Sequence, residues 1–252
     1  MTNIKLFIFI ISIFCNIITS VYFTHKTFNY ILKTNTVQTN WLHLSRKSHF
    51  ALLPSQKDKN EIIFLGASII QHCEWSELFG HPGIRNRGIA GDRTQDIMSR
   101  IQETINRKPA HLFLMVGLND IMEGRSISSI SKSFKNILEP FSNQSPHTKI
   151  YVLSILPVAK QITNSTKLNK IISQTNEAYR AIARQLDHKF IDLNKTLQDE
   201  NYFLDKSHTI DGIHLTGSGY QKIKKYIQPY INNTVPNDMR IETSWNLYPD
   251  AD

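Results

Sequence analysis

Five short apolar runs, separated by stretches with helical periodicity, most constrain how this 252-residue chain can fold. Each run has the length and composition of a strand that is buried on both faces. The runs are Ile62–Leu65, Ile84–Ile89, His111–Val116, Lys149–Ile155 and Lys189–Leu193. Strands that alternate with helices form parallel sheets, because parallel neighbours need a crossover connection. The sequence therefore predicts an α/β fold, with a five-stranded parallel sheet between two layers of helices.

The stretches between the runs carry apolar residues at three- and four-residue spacing, which places those residues on one face of a helix. The predicted helices contain Ile97–Ile105, Ile127–Phe141, Leu168–Leu186 and Tyr220–Tyr230. Polar residues that precede three of these helices predict their N-caps. The predicted N-caps are Asp92, Ser126 and Thr216.

Charge and cysteine content exclude several classes of protein. Lys and Arg outnumber Asp and Glu by 29 to 21, but they are scattered, and no dense basic run interleaved with aromatic residues occurs. We therefore expect no nucleic-acid partner. The two cysteines are Cys15, in an apolar segment, and Cys73. A domain with one cysteine forms no internal disulfide and no Cys-rich zinc site, so its stability has to come from a packed core.

The N-terminal segment differs from the rest of the chain, because Leu6–Phe23 carries no charge and is almost wholly apolar. Its length lies between that of a long signal-peptide core and that of a short membrane span. We interpret residues 1–24 as an uncleaved signal anchor, with a cleaved signal peptide as the alternative. Either one places the domain outside the cytoplasm, membrane-anchored in the first case and secreted or periplasmic in the second. The remaining predicted divisions are a connector over 25–58, a folded domain over 59–233 and a C-terminal tail over 234–252.

A candidate nucleophile follows the first predicted strand. In open α/β sheets, functional side chains lie beyond the carboxyl ends of the strands. Ser68 lies at such an end, and the small residues Gly66 and Ala67 allow a tight turn there. A serine at this position is more often a helix cap than a nucleophile. A nucleophilic serine also needs a base, and that base needs an orienting partner.

The loop after the fifth predicted strand offers two such pairs with the same spacing. Asp211 precedes His214 by three residues, and Asp205 precedes His208 likewise. The chemistry of the two pairs is the same, so only their positions distinguish them. Gly212 and the segment Leu215–Gly217 fix the first pair in a turn against a helix start, which favours Asp211 and His214.

Two further strand ends offer donors for a developing negative charge. The segment Gly88–Gly91 can present backbone N–H groups, and Asn119 can present its side-chain amide. Taken alone, Asn119 and Asp120 would be interpreted as a turn or a helix cap.

Four segments together resemble the blocks of the SGNH (GDSL-like) hydrolase family. They are FLGAS (64–68), NRGIAGD (86–92), VGLND (116–120) and DGIHLTGSGY (211–220). The second block is most similar to the platelet-activating-factor-acetylhydrolase-like branch. The resemblance implies a flavodoxin-like three-layer fold, with Ser68 as nucleophile and Asp211 and His214 as its activating pair. It also implies an oxyanion hole made by the N–H groups of Ser68 and Gly91 and the amide of Asn119.

The activity that the resemblance implies is ester hydrolysis through an acyl-enzyme, with no metal and no cofactor. Small-molecule or glycan esters are the expected substrates, and short acyl groups, above all acetyl groups on carbohydrates, are our first expectation. Hydrolysis of lipid acyl esters or thioesters is one alternative. Another is a glycan-binding domain with weakened catalysis, because Ala67 stands where the family usually has Asp.

Overall fold

The computed structural model describes residues 17, 19–24, 41–55 and 60–231 of the chain. The chain divides into two compact units, residues 1–46 and 47–252. Of the first unit, the described residues are helical. Of the second, residues 60–231 contain the whole sheet and its helices.

The sheet has five parallel strands in the order β2-β1-β3-β4-β5, which confirms the predicted α/β class. Gly66, at the end of β1, lies opposite Gly88 of β2 and Met115 of β3, so three strand ends reach the same edge. Each strand lies within its predicted run or one residue beyond it. The strands are β1 Ile62–Gly66, β2 Ile84–Gly88, β3 His111–Met115, β4 Lys149–Leu153 and β5 Lys189–Ile191.

Nine helices connect or follow these strands in the described part of the second unit. Four of them are longer than five residues, and the others are single turns near the strand ends. The helices are α1 Ser68–Gln71, α2 Trp75–Phe79, α3 Thr94–Met98, α4 Ile101–Arg107, α5 Leu118–Met122, α6 Ile127–Gln144, α7 Ser165–Gln185, α8 Asn194–Leu197 and α9 Gly217–Ile231.

Two hydrophobic cores, one on each face of the sheet, produce the predicted three layers. On one face, the rings of Phe64, Phe113 and Tyr151 stack with centroids 4.7 Å apart across β1, β3 and β4. Trp75 stacks 4.1 Å from Phe64, and α1, α2 and α9 cover this face. The other face packs aliphatic residues such as Leu114 against α3, α4, α6 and α7. Burial on both faces explains why the strands are continuous apolar runs.

The predicted helix over Ile97–Ile105 is two helices, α3 and α4, because the chain breaks at Arg100. The Arg100 guanidinium turns inward, and its Nε donates to the Asp92 carboxylate at 2.8 Å. The predicted N-cap at Asp92 is therefore wrong, since Arg93 occupies that position. The cap at Ser126 is confirmed by a 3.2 Å hydrogen bond from the backbone N–H of Ser129.

Residues 47–55, inside the predicted connector, contact the sheet domain. Phe50 is buried, and the Arg87 guanidinium lies 4.8 Å from its ring centroid. Arg107 donates to the carbonyl of Leu53 at 2.6 Å and to that of Pro54 at 3.0 Å. The cation–π contact and the two hydrogen bonds attach this segment to β2 and α4.

Most of the predicted signal anchor lies outside the described residues, as does the predicted tail from 234. Among residues 17, 19–24, 41–55 and 60–231, no helix has both the length and the apolar character needed to cross a membrane.

Candidate active site

Ser68 begins helix α1 immediately after β1. The turn is tight because Gly66 approaches β3 closely, and a Cβ at Gly66 would lie 2.2 Å from the carbonyl oxygen of Met115. Gln71 N–H closes the turn by donating to the carbonyl of Ala67 at 2.9 Å. This bond uses only the backbone of Ala67, so it forms although Ala67 stands where the family usually has Asp.

Three of the predicted site residues form one hydrogen-bonded chain. Oγ of Ser68 lies 2.9 Å from Nε2 of His214, although 146 positions separate the two residues. Nδ1 of the same imidazole lies 2.6 Å from Oδ2 of Asp211. A hydroxyl, an imidazole and a carboxylate in this order can move a proton away from the hydroxyl.

The loop that carries His214 is braced by its own backbone. Oδ1 of Asp211 accepts hydrogen bonds from the N–H groups of Ile213 at 2.9 Å and His214 at 2.8 Å. Thr209 Oγ1 accepts from Gly212 N–H at 2.9 Å and donates to the His214 carbonyl at 2.8 Å. Gly212 has a φ of +93°, a conformation that L side chains rarely adopt. These bonds orient both oxygens of the carboxylate before any substrate binds.

The Asp211 carboxylate remains charged well into the acidic range. Its partial burial raises its pKa, but hydrogen bonds from the His214 side chain and from the N–H groups of His214 and Ile213 outweigh that effect. Together they lower the pKa of Asp211 to about 2. The imidazole of His214 therefore faces an anion at every pH above that value.

The alternative pair, Asp205 and His208, lies apart from Ser68. Oδ1 of Asp205 caps the 3₁₀ turn Lys206–His208 by accepting from Ser207 N–H at 2.8 Å. Nδ1 of His208 lies 3.1 Å from Oγ of Ser218, at the start of α9. This second Asp-x-x-His pair shapes the loop and makes no contact with Ser68.

The three predicted oxyanion donors differ in the hydrogen bonds that they already make. The backbone N–H groups of Ser68 and Gly91 donate to no acceptor in the described part of the chain. The Asn119 amide donates one hydrogen to the carbonyl of Asp92 at 2.9 Å, which leaves its second hydrogen for a ligand. Ser68 and Asn119 both line the cavity described next, whereas Gly91 does not.

A cavity of about 200 Å³ opens beside Ser68 and His214. Its walls come from the ends of β3 and β4 and from α5, and they are mainly apolar. The apolar lining residues are Ala67, Ile69, Met115, Val116, Leu118, Met122, Ile155, Leu156 and Ile213. The sequence analysis did not predict this cavity, because its lining residues belong to four separate segments.

Two buried carboxylates, Asp92 and Asp120, hold in place the segments that carry the candidate oxyanion donors, a role that was not predicted for them. Asp92 pairs with Arg100, whose Nη2 also donates to the carbonyls of Gly66 at 3.1 Å and Arg87 at 2.9 Å. Asp120 accepts from the N–H of Thr94 at 2.9 Å and from its hydroxyl at 2.8 Å. These contacts tie the ends of β1 and β2 and the start of α5 together around the site.

His72 is a further neighbour of the site that was not predicted, and its ring centroid lies 5.2 Å from that of His214. Within the described residues, no group of three or more His, Cys, Asp or Glu side chains is arranged to hold a metal ion.

Comparison with known proteins identifies the family. The sequence pattern of the GDSL-like Lipase/Acylhydrolase family matches residues 71–222, which is more than half of the chain. The chain belongs to this family. It is a carboxylic ester hydrolase of the GDSL-like type, as the resemblance implied. The match begins three residues after Ser68 and includes the second, third and fourth blocks.

Curated relatives and solved structures agree with that assignment. The chain is 26% identical over 206 residues to the platelet-activating factor acetylhydrolase IB subunit alpha1 of Homo sapiens, which covers 79% of this chain and 85% of the relative. A structure from Streptococcus pneumonia, provisionally called a platelet activating factor, has a TM-score of 0.69 at 26% identity, with 79% and 98% coverage. A GDSL-like lipase from Bacteroides thetaiotaomicron shares the fold, with a TM-score of 0.64 at 21% identity and coverage of 77% and 98%.

Proposed function

We propose that this GDSL-like hydrolase is a serine esterase that removes short acyl groups, above all acetyl, from carbohydrates. The observation that carries the proposal is the continuous chain from Ser68 Oγ through His214 to Asp211, with distances of 2.9 and 2.6 Å. In this proposal Ser68 is the nucleophile, His214 the general base and acid, and Asp211 the residue that orients and stabilises the imidazolium.

The reaction proceeds in two halves. Nε2 of His214 takes the Ser68 proton as Oγ attacks the ester carbonyl, and a tetrahedral intermediate forms. Its collapse breaks the bond to the alcohol oxygen, which receives the proton from His214, and leaves an acyl group on Ser68. Water then attacks the acyl-enzyme, with His214 again taking a proton. The second collapse releases the carboxylic acid and restores the serine hydroxyl.

The carbonyl oxygen becomes negatively charged in both tetrahedral intermediates. We assign its stabilisation to the N–H groups of Ser68 and Gly91 and to the second amide hydrogen of Asn119. Support comes from the two unused N–H groups and from the bond that holds Asn119 to the Asp92 carbonyl. Loss of one such donor costs about 3 to 4 kcal/mol of transition-state stabilisation in a well-studied enzyme.

The size of the apolar cavity supports a short acyl group. Its volume of about 200 Å³ lies below the range of roughly 300 to 1,000 Å³ that is usual for drug-sized ligands. Apolar walls suit a methyl or other short alkyl group next to the reacting carbonyl. The names of the curated relatives, which are acetylhydrolases, also favour acetyl esters. Those names favour a second candidate for the alcohol part, an acetylated lipid such as platelet-activating factor.

An acyl-chain series on p-nitrophenyl esters tests the proposal. We expect kcat/KM to be highest for acetate and to fall steadily from butyrate to octanoate, because longer chains exceed the cavity. Acetylated sugars and acetylated glycerolipids, compared at the same ester concentration, then separate the two alcohol classes. A maximum at about eight carbons or more would contradict the short-acyl assignment and favour lipid or thioester substrates.

A further inference from the structure

A second cleft, of about 300 Å³, lies at the same end of the sheet as the active site. One wall is the first half of α7, and the other is α8 with the turn that follows it, residues 198–204. Its lining is rich in amide and hydroxyl groups, and Lys170 is the one charged residue among the described residues that line it. Apart from Asn169, the uncharged polar side chains that line it are those of Thr166, Ser173, Asn194, Gln198, Asn201 and Tyr202.

This cleft adjoins the apolar cavity beside Ser68, here called the acyl cavity, through the loop after β4. Leu156 lines the acyl cavity, and the next residue, Pro157, lines the cleft. Asn169 fixes this loop, because its amide accepts from Val158 N–H at 2.8 Å and donates to the Val158 carbonyl at 2.9 Å. This one loop therefore separates the cavity from the cleft, and two adjacent residues of the loop line one space each.

Tyr202, at the rim of the cleft, has an unusual backbone conformation. Its φ is +65°, which is unusual for a bulky residue, and its side chain is 73% exposed. The surrounding turn imposes this backbone, since Oδ1 of Asp199 accepts from the N–H groups of Asn201 at 2.9 Å and Phe203 at 3.0 Å. Strained residues that the surroundings over-determine cluster at ligand sites. The turn therefore holds an aromatic ring in solvent beside a polar cleft.

The amides of the cleft have unused hydrogen-bonding capacity. The side chains of Gln198 and Asn201 make no hydrogen bond within the described residues, and Asn194 uses only its oxygen, which accepts from Ser154 Oγ at 3.1 Å. A primary amide both donates and accepts, as a sugar hydroxyl does. An exposed tyrosine ring adds an apolar face with a polar tip, on which the C–H face of a sugar ring can pack.

We propose that this cleft is a saccharide subsite, which binds neutral sugar residues of the acylated carbohydrate while the ester lies at Ser68. The inference rests on the proposed function and adds a second binding site to it, with Tyr202 and Gln198 as specificity-determining residues. A single cation and several amides fit a neutral polyhydroxylated chain better than a phosphate, which favours clustered Arg or Lys, or a fatty chain, which favours apolar walls.

Chain-length dependence tests the subsite. Wild-type protein is assayed on singly acetylated xylo-, manno- and gluco-oligosaccharides of one to four units, and on p-nitrophenyl acetate. On at least one series we expect KM to fall three- to tenfold from the monosaccharide to the tetrasaccharide. In Tyr202→Ala and Gln198→Ala that decrease is lost, while kcat and the rate on p-nitrophenyl acetate stay within twofold of wild type. Tyr226→Ala, which removes a 43% exposed tyrosine from α9, is the matched control and retains the decrease.

Binding of unacetylated tetrasaccharides, measured by calorimetry, separates this inference from the proposed function. If p-nitrophenyl acetate is hydrolysed normally but no tetrasaccharide binds and KM does not depend on chain length, the subsite is wrong and the esterase assignment stands. If a tetrasaccharide binds and Tyr202→Ala weakens it, but no ester is hydrolysed, the subsite stands and the esterase assignment is wrong.

Discussion

The carboxylate of Asp211 lies 2.6 Å from Nδ1 of His214, and the opposite nitrogen of that ring lies 2.9 Å from the hydroxyl of Ser68. The carboxylate and the imidazole are three residues apart on one braced loop, whereas the serine belongs to the first strand–helix turn. The arrangement thus depends on the sheet to bring the two ends of the domain together.

Asp211→Asn should lower kcat by a factor of about 10² to 10⁴, because the amide neither stabilises the imidazolium nor fixes the reactive tautomer. The chain provides its own matched control, since Asp205 has the same spacing to a histidine. Asp205→Asn should keep kcat within about threefold, as Asn also caps the turn that Asp205 caps. Steady-state rates on p-nitrophenyl acetate measure both. Equal losses in the two variants would show that position 211 has no special role.

Arg100→Met should destabilise the domain by about 3 to 5 kcal/mol, because it removes the cation that forms a buried ion pair with the Asp92 carboxylate. Both side chains of this pair are at most 5% exposed. Arg125→Ala is the control, since Arg125 lies 3.4 Å from the exposed carboxylate of Glu123 and should cost less than about 1 kcal/mol. Urea unfolding followed by circular dichroism measures the two free energies of unfolding. Similar values for the two variants would contradict a structural role for the buried pair.

His111 should make the stability of the domain depend on pH. Its side chain is 2% exposed, and burial, reinforced by the positive charge of Lys149, lowers its pKa from 6.5 to about 4. Between these values the unfolded chain binds a proton that the folded chain does not, so the free energy of unfolding falls as the pH drops from 6.5 to 4. The contribution reaches about 3 kcal/mol at most. Unfolding curves at pH 4.5 and 7 should differ less in His111→Leu than in wild type, and an unchanged difference would remove His111 as the cause.

The sheet and the active-site candidates were predictable from the sequence because they depend on local patterns. Buried strands are continuous apolar runs, and the residues directly after Gly66 and Gly88 lie at strand ends whatever the helices do. The prediction of a single helix over Ile97–Ile105 was wrong, and the spacing of apolar residues could not have revealed the reason. Arg100 is a charged residue of the kind that is usually exposed. It is buried here because its guanidinium pairs with Asp92, eight positions earlier in the chain.

Other features were unpredictable because they depend on tertiary contacts. The pairing of Asp120 with Thr94 joins segments 26 residues apart, and the apolar cavity takes its walls from four segments. The two Asp-x-x-His pairs are chemically equivalent in the sequence, and only their positions and the family resemblance favoured Asp211 and His214. The contacts themselves come from the fold, in which His214 contacts Ser68 and His208 contacts Ser218.

Labelling with a fluorophosphonate probe tests the central claim most directly, because the probe reacts with a serine that a neighbouring base has activated. Wild-type protein and Ser142→Ala, which changes an exposed serine in α6, should be labelled, and Ser68→Ala should not. Loss of label in Ser68→Ala alone is the predicted result. Equal labelling of Ser68→Ala and wild type would contradict the assignment of Ser68 as the nucleophile, and absence of label from all three would favour a domain that binds without catalysis.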